Sequence, residues 1–142
     1  RIVGMFDQED EKQIRIRLAD SVRWIACQRL LPKIGGGRVA AFEIMNTNLR
    51  VKDTILHGEA EGKTFYDIIE AGQPFGMMTF DQSITELYQK GLITEETALS
   101  YASRKAIVGR AIDAVKSARG EKTTSIEDLK IDQDYTKKYG KM

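Results

Sequence analysis

Residues 28–45, Gln-Arg-Leu-Leu-Pro-Lys-Ile-Gly-Gly-Gly-Arg-Val-Ala-Ala-Phe-Glu-Ile-Met, decide the fold. Two short apolar runs, Gln28 to Pro32 and Arg38 to Met45, flank three consecutive glycines, Gly35 to Gly37. Glycine reaches the positive φ of a tight reversal without steric cost, so the stretch predicts a β-hairpin. Pro32 cannot donate to a sheet ladder and is expected to close the first strand. In the second strand Glu43 is the only polar residue between Val39 and Met45, a pattern expected of a strand buried on both faces. A two-stranded hairpin alone is marginal in water, so flanking helices must cover it or it must join a larger sheet.

Outward from the hairpin the periodicity turns helical. Upstream, Asp7 to Cys27 predicts one long helix with Asp7 at its N-cap and an apolar stripe of Ile14, Leu18, Val22, Ile25 and Ala26. Ile16 and Trp24 fall off that stripe, which suggests a second buried face in a larger parent protein. Arg15, Arg17 and Arg23 read as a solvated or intersubunit salt-bridged face. Downstream, Leu49 to Leu56 predicts a short helix stopping at His57-Gly58, and Thr64 caps another that carries Phe65, Ile68 and Ile69 and ends at Gly72. Gln73 to Gly76 reads as a turn. Thr79 and Gln82 have capping-box spacing before Phe80, Ile84, Leu87 and Tyr88. Thr94 opens the next helix, and Ser103 is the expected cap of a last one that stops near Gly120. Residues 1–120 are expected to form one packed unit, and 121–142 a polar tail.

At 142 residues the chain can bury roughly 70% of its unfolded surface, so it needs no metal or disulfide to hold a core. Its single cysteine, Cys27, suits a reducing compartment and reads as a small buried hydrophobe. No apolar run approaches the ~20 residues of a membrane span. With 22 basic and 21 acidic residues the chain lacks the electrostatic footprint of a duplex nucleic-acid binder. The one histidine, His57, is expected to be an exposed residue at a helix C-terminus. Gly35-Gly36-Gly37-Arg38 runs on into Val39-Ala40, without the lysine and hydroxyl that a phosphate-binding loop requires. No residue of this chain is therefore expected to be catalytic, to hold a cofactor or to ligate a metal.

Longer words of the sequence carry a resemblance. Arg1-Ile-Val-Gly-Met-Phe6, Gln13-Ile-Arg15, Gln28-Arg-Leu-Leu-Pro32, Gly37-Arg-Val-Ala-Ala41, Glu43-Ile-Met45, Gly76-Met-Met-Thr-Phe-Asp-Gln82, Leu87-Tyr88 and Gly91-Leu-Ile-Thr94 follow one another as in PilT-type twitching-motility ATPases, the type IV pilus retraction motors among the type II/IV secretion ATPases. The chain resembles that family over roughly residues 1–102. The resemblance implies a mainly α chain with a β-hairpin, forming the downstream portion of a RecA-like α/β P-loop ATPase domain. Residue 1 would fall just after the family's histidine box, with Walker A and Walker B upstream, as the absent initiator methionine also suggests.

For the intact parent the resemblance implies a cytoplasmic homo-hexamer that uses ATP and magnesium and works at the pilus base on the inner membrane. It places Gln28, Arg29 and Arg38 near a subunit boundary. The family's retraction motif, A-I-R-N-L-I-R-E, aligns with Arg50 to His57, where Val51, Lys52, Asp53 and Ile55 are the candidate positions; Arg50, Thr54, Leu56 and His57 depart from it. A divergent secretion or pilus ATPase paralogue is a variant of the motor reading, and two readings from other classes stand beside it, a winged-helix-like nucleic-acid-binding module and a helical protein-interaction domain. Apolar faces around Ile16, Trp24 and Phe42, uncovered if the parent's sheet is missing, are expected to make the chain self-associate.

Overall fold

A computed structural model describes residues 2–121; the expected polar tail lies, apart from Glu121, outside the described residues. After a short 3-10 turn come α1 (Gln8–Ser21), β1 (Trp24–Pro32), β2 (Arg38–Asn46), α2 (Leu49–His57), α3 (Phe65–Ala71), α4 (Phe80–Gln89), α5 (Glu95–Tyr101) and α6 (Lys105–Ala118). The sequence-predicted hairpin is present. β1 and β2 pair antiparallel from Trp24 opposite Asn46 to Pro32 opposite Arg38, and Gly35, Gly36 and Gly37 hold φ of +84°, +103° and +76° at its tip.

The expected helix from Asp7 to Cys27 is too long by six residues. It ends at Ser21, whose hydroxyl donates back to the Arg17 carbonyl, and Val22 is already extended. The residues from Trp24 to Cys27 are claimed by the sheet, because β2 runs on to Asn46 and offers them ladder partners. A spacing that suits a helix face suits alternating strand positions almost as well, and here the non-local hydrogen bonds decide.

Residues directly opposite in the ladder share a face. Odd-numbered positions face inward, with Leu31, Ala41 and Met45 buried. Even-numbered positions face outward, where Trp24 is 60% exposed, Leu30 48% and Phe42 40%. β2 is thus covered on one face only, contrary to the reading of a strand buried on both. The inner face carries two cores. At the glycine end, Leu31 and Ala41 pack with Phe80, Ile84, Leu87, Ile93, Ala98, Val108 and Ile112 of α4–α6 and their connections. At the other end, Met45 packs with Val51, Ile68, Ile69 and Met77.

Local signals set most helix ends as expected. Thr64 with Asp67 and Thr79 with Gln82 form capping boxes, Thr94 accepts from the Thr97 amide, and Gly58 ends α2 at φ +87°. Ser103 does not cap α6: the N-cap position is Arg104 and its side chain makes no cap bond. Gly72 is needed for space rather than conformation, since a Cβ there would overlap the Met77 side chain. Overpacking of this kind typically costs about 1–3 kcal/mol. Gly72→Ala should therefore lower stability by about 2 kcal/mol in urea unfolding, whereas Gly4→Ala, which has nothing within 4 Å of the new Cβ, should change it little.

Candidate functional site

The sequence-predicted boundary residues occupy one hairpin but do not converge. Gln28 lies on the outward face opposite Phe42. Arg29 lies on the inward face, its guanidinium 3.9 Å from the centre of the Phe80 ring, and donates to the Tyr101 carbonyl at 3.2 Å and Ser103 Oγ at 3.3 Å. Arg38 sits at the glycine end and reaches the Leu30 carbonyl at 3.5 Å. Of the α2 candidates, Val51 is fully buried and Ile55 packs beside it in the second core, so both are structural contacts. Asp53 is exposed and bonds His57 Nδ1 at 3.0 Å one turn on, and His57 is exposed at the helix end as expected. Lys52 is partly exposed. A cleft of about 430 Å³ between α2 and α3 brings Arg50 and Lys63 together with Asp53 and Asp67, so its charges balance.

Cys27 is exposed, not buried. It lies on the inner face where the two cores part, in an apolar cleft of about 490 Å³ lined also by Leu18, Ile25, Met45, Ile55 and Phe65. Lying on an inward position did not bury it, because α1 stops short of the strand it would have to cover.

The polar centre of the molecule is Asp81, which is 1% exposed. Its carboxylate accepts from the Ser103 amide at 2.7 Å, the Arg104 amide at 3.0 Å and the Tyr66 hydroxyl at 2.9 Å. Arg104 lays its guanidinium 3.7 Å from the Tyr66 ring centre and reaches Asp67 at 3.4 Å. One carboxylate in the first turn of α4 thereby pins the turn that enters α6 and the start of α3, and Arg29 holds the same turn from β1. The negative charge also stands at the positive end of α6. The sequence singled out Thr79 and Gln82 as capping residues. Thr79 and Gln82 are that; Asp81 serves a different helix. Tyr66 and Arg104 were not singled out, and no spacing rule connects residues 15 to 37 positions apart.

Burial pushes the Tyr66 hydroxyl well above the ordinary tyrosine range, and the hydrogen bond to Asp81 and its negative charge add to the shift. The hydrogen bonds from the Thr64 hydroxyl and amide hold Asp67 below the usual carboxylate range. These cannot serve as a general acid and base near neutrality; they are structural groups.

The fold and this junction can be set beside known proteins. No family model matches the chain. It is 38% identical over 98 residues to the type IV pilus retraction ATPase PilT of Pseudomonas aeruginosa, a match covering 69% of this chain and 28% of that protein. It is 34% identical over 99 residues to a twitching motility protein of Neisseria gonorrhoeae, covering 69% of this chain and 26% of the relative. The chain thus spans little more than a quarter of the length of these curated relatives. The crystal structure of the pilus retraction motor PilT with bound ADP aligns with a TM-score of 0.60 at 34% identity, over 78% of this chain and 30% of that one. The helices and hairpin described above fit the C-terminal portion of that ATPase domain.

Asp81→Ala should lower stability by about 3 kcal/mol, since it leaves three donors without their charged acceptor, and Tyr66→Phe by about 1 kcal/mol. Urea unfolding measures both. The pH dependence follows from the two shifts. A hydroxyl with a raised folded value contributes stability below the ordinary 10.0 that is lost as pH rises above it, so the wild type should weaken in alkali and Tyr66→Phe should flatten that limb. Asp67 acts in the opposite direction: its contribution is present above 3.8 and is lost as pH falls through its lower folded value, and Asp67→Asn should remove it.

Proposed function

This chain belongs to the PilT-type family of pilus and secretion ATPases, and from that premise we propose that it is the part of a retraction motor that relays nucleotide state rather than the part that breaks the phosphate bond. The parent protein would be a cytoplasmic homo-hexamer that hydrolyses ATP with magnesium and acts on the pilus base at the inner membrane. The observation that carries the reading is the uneven covering of the hairpin. Its inward face rests on two cores, while Trp24, Leu30 and Phe42 stand open on the other, in a chain matching little more than a quarter of its relatives. A sheet face of that composition belongs against further structure, and the remaining length of the parent domain would supply it.

In this reading Arg29 is a positioning residue. It joins the strand bearing the open face to the α5–α6 turn, so a shift of β1 is passed to α6 through Tyr101 and Ser103. Gln28 and Arg38 are proposed to stand at the subunit boundary, and Lys52 and Asp53 to form the exposed side of the retraction helix. Chemistry would lie elsewhere, because phosphoryl transfer depends on a P-loop lysine and metal-holding carboxylates that position charge. ATP and magnesium are thus proposed for the parent, with no nucleotide held by this chain.

The purified 142-residue chain should release no phosphate from ATP above a contaminant control, and release above that level overturns the division of labour. In the complete parent ATPase, Arg29→Ala should slow turnover about tenfold with nucleotide affinity retained, as a misplaced catalytic constellation does. Unchanged turnover would remove Arg29 from the relay.

A further inference from the structure

Little apolar contact seats α1. Ala19 is its only buried residue, and Arg15 and Leu18 stand on one side of the apolar cleft that Thr54 and Ile55 line on the other. Across that gap Arg15 Nη1 donates to the Ile55 carbonyl at 2.9 Å. Among the described residues it is the only hydrogen bond from α1 to another helix. The sequence reads Arg15, Arg17 and Arg23 alike as a solvated or intersubunit face, but only Arg17 and Arg23 are exposed; the Arg15 side chain is turned inward and 28% exposed.

The Arg15 guanidinium is held on both sides. Nε and Nη2 donate to Glu11 Oε1 at 2.9 and 2.8 Å, one turn back in α1, and that fork leaves Nη1 aimed at α2. Its acceptor lies in the last turn of α2, where carbonyls lack a partner within the helix and a positive charge is favoured. The Gly58 amide takes the Thr54 carbonyl, and Arg15 takes the next one. Val51 and Ile55 seat α2 on the second core from its side, whereas Arg15 ties its end. Lys52 and Asp53 lie within one turn of the bonded carbonyl, so a displacement of α1 reaches them through a charged hydrogen bond rather than being lost in the cleft.

We infer that Arg15, oriented by Glu11, is a positioning residue that couples α1 to α2, so that the nucleotide state of the parent sets the pose of the exposed side of α2 through this guanidinium. The inference rests on the motor reading, in which the residues that hold the nucleotide lie upstream of α1 and α2 is the retraction helix. It is a route separate from Arg29, which serves the α5–α6 turn.

Amide hydrogen exchange on the complete parent ATPase, loaded with ADP or with a non-hydrolysable ATP analogue, tests the coupling. In the wild type, exchange across residues 54–58 should differ by about threefold or more between the two nucleotides. In Arg15→Ala the same amides should exchange about tenfold faster, as the loss of a charge-assisted hydrogen bond allows, and at one rate with either nucleotide. Faster exchange that keeps the nucleotide difference is what a merely structural cap would give, and it overturns the coupling. Should Arg15→Ala unfold, Glu11→Ala, which leaves the guanidinium in place without its fork, must reduce the difference about twofold or more, and a difference left intact overturns the inference. A wild type whose α2 exchanges alike with both nucleotides while it still hydrolyses ATP overturns the coupling and leaves the motor reading standing. A parent that releases no phosphate from ATP overturns the motor reading, and this inference falls with it.

Discussion

The register of one hairpin organises everything else. Side chains alternate across a strand, so sliding β1 by one residue against β2 would exchange its two faces and turn Leu31 outward. The pairing of Trp24 with Asn46 through Pro32 with Arg38 instead gives the inward face one line of apolar residues long enough to serve two cores. Leu31 and Ala41 seat α4 and α6; Met45 seats α2 and α3. These helices are short, and isolated helices of such length are marginal in water. They persist because each finds a place on that face.

Apolar contact positions the helices only loosely around their own axes, and the buried carboxylate of Asp81 supplies direction. An ionised group removed from water is costly unless it is fully hydrogen-bonded, and here two amides and a hydroxyl converge on it. That requirement can be met only if α3, the α5–α6 turn and the first turn of α4 stand in one arrangement. Arg29 reaches the same turn from β1, and Lys116 of α6 bonds Glu95 of α5 at 2.5 Å. Polar bonds thus fix the relative setting of elements whose apolar packing tolerates sliding.

What could be read from the sequence follows the range of the interactions. Hairpin, helix order and most caps rest on residues within four positions of one another, and Gly35 to Gly37, Thr64, Thr79 and Gly58 announced them. The exit from α1 was misread because it depends on partners about twenty residues away: Trp24 to Cys27 fit a helix until Ile44 and its neighbours offer a ladder. The cap expected at Ser103 failed because α6 begins one residue later, after Arg104, and the Ser103 and Arg104 amides are held instead by the distant Asp81. Cys27 was expected inside since apolar neighbours surround it in sequence, yet the helix that would have covered it stops at Ser21. At the candidate site, Arg29 was singled out for a boundary role while its bonds to Tyr101 and Ser103 were invisible. Burial, exposure and long-range hydrogen bonds are properties of the assembled fold.

The hairpin is held by different elements along its length. Near the glycine tip, Leu31 lies in a closed core, Arg29 is bonded to the α5–α6 turn, and the Ile34 amide is fixed to the Leu92 carbonyl at 2.9 Å. Close-packed interiors transmit displacement rather than absorb it. Near Trp24 the inward face borders the open cleft by Ile25 and Cys27, with α1 covering only part of it. That end is fastened too, by other elements: Met45, opposite Ile25, sits in the second core, Asn46 donates to the Phe75 carbonyl at 2.7 Å and the Thr47 amide to the Arg23 carbonyl at 2.9 Å. The polar junction at Asp81 and Arg29 ties the glycine end to α4 and the α5–α6 turn, and the second core ties the other end to α2 and α3, so one register serves two separately built halves.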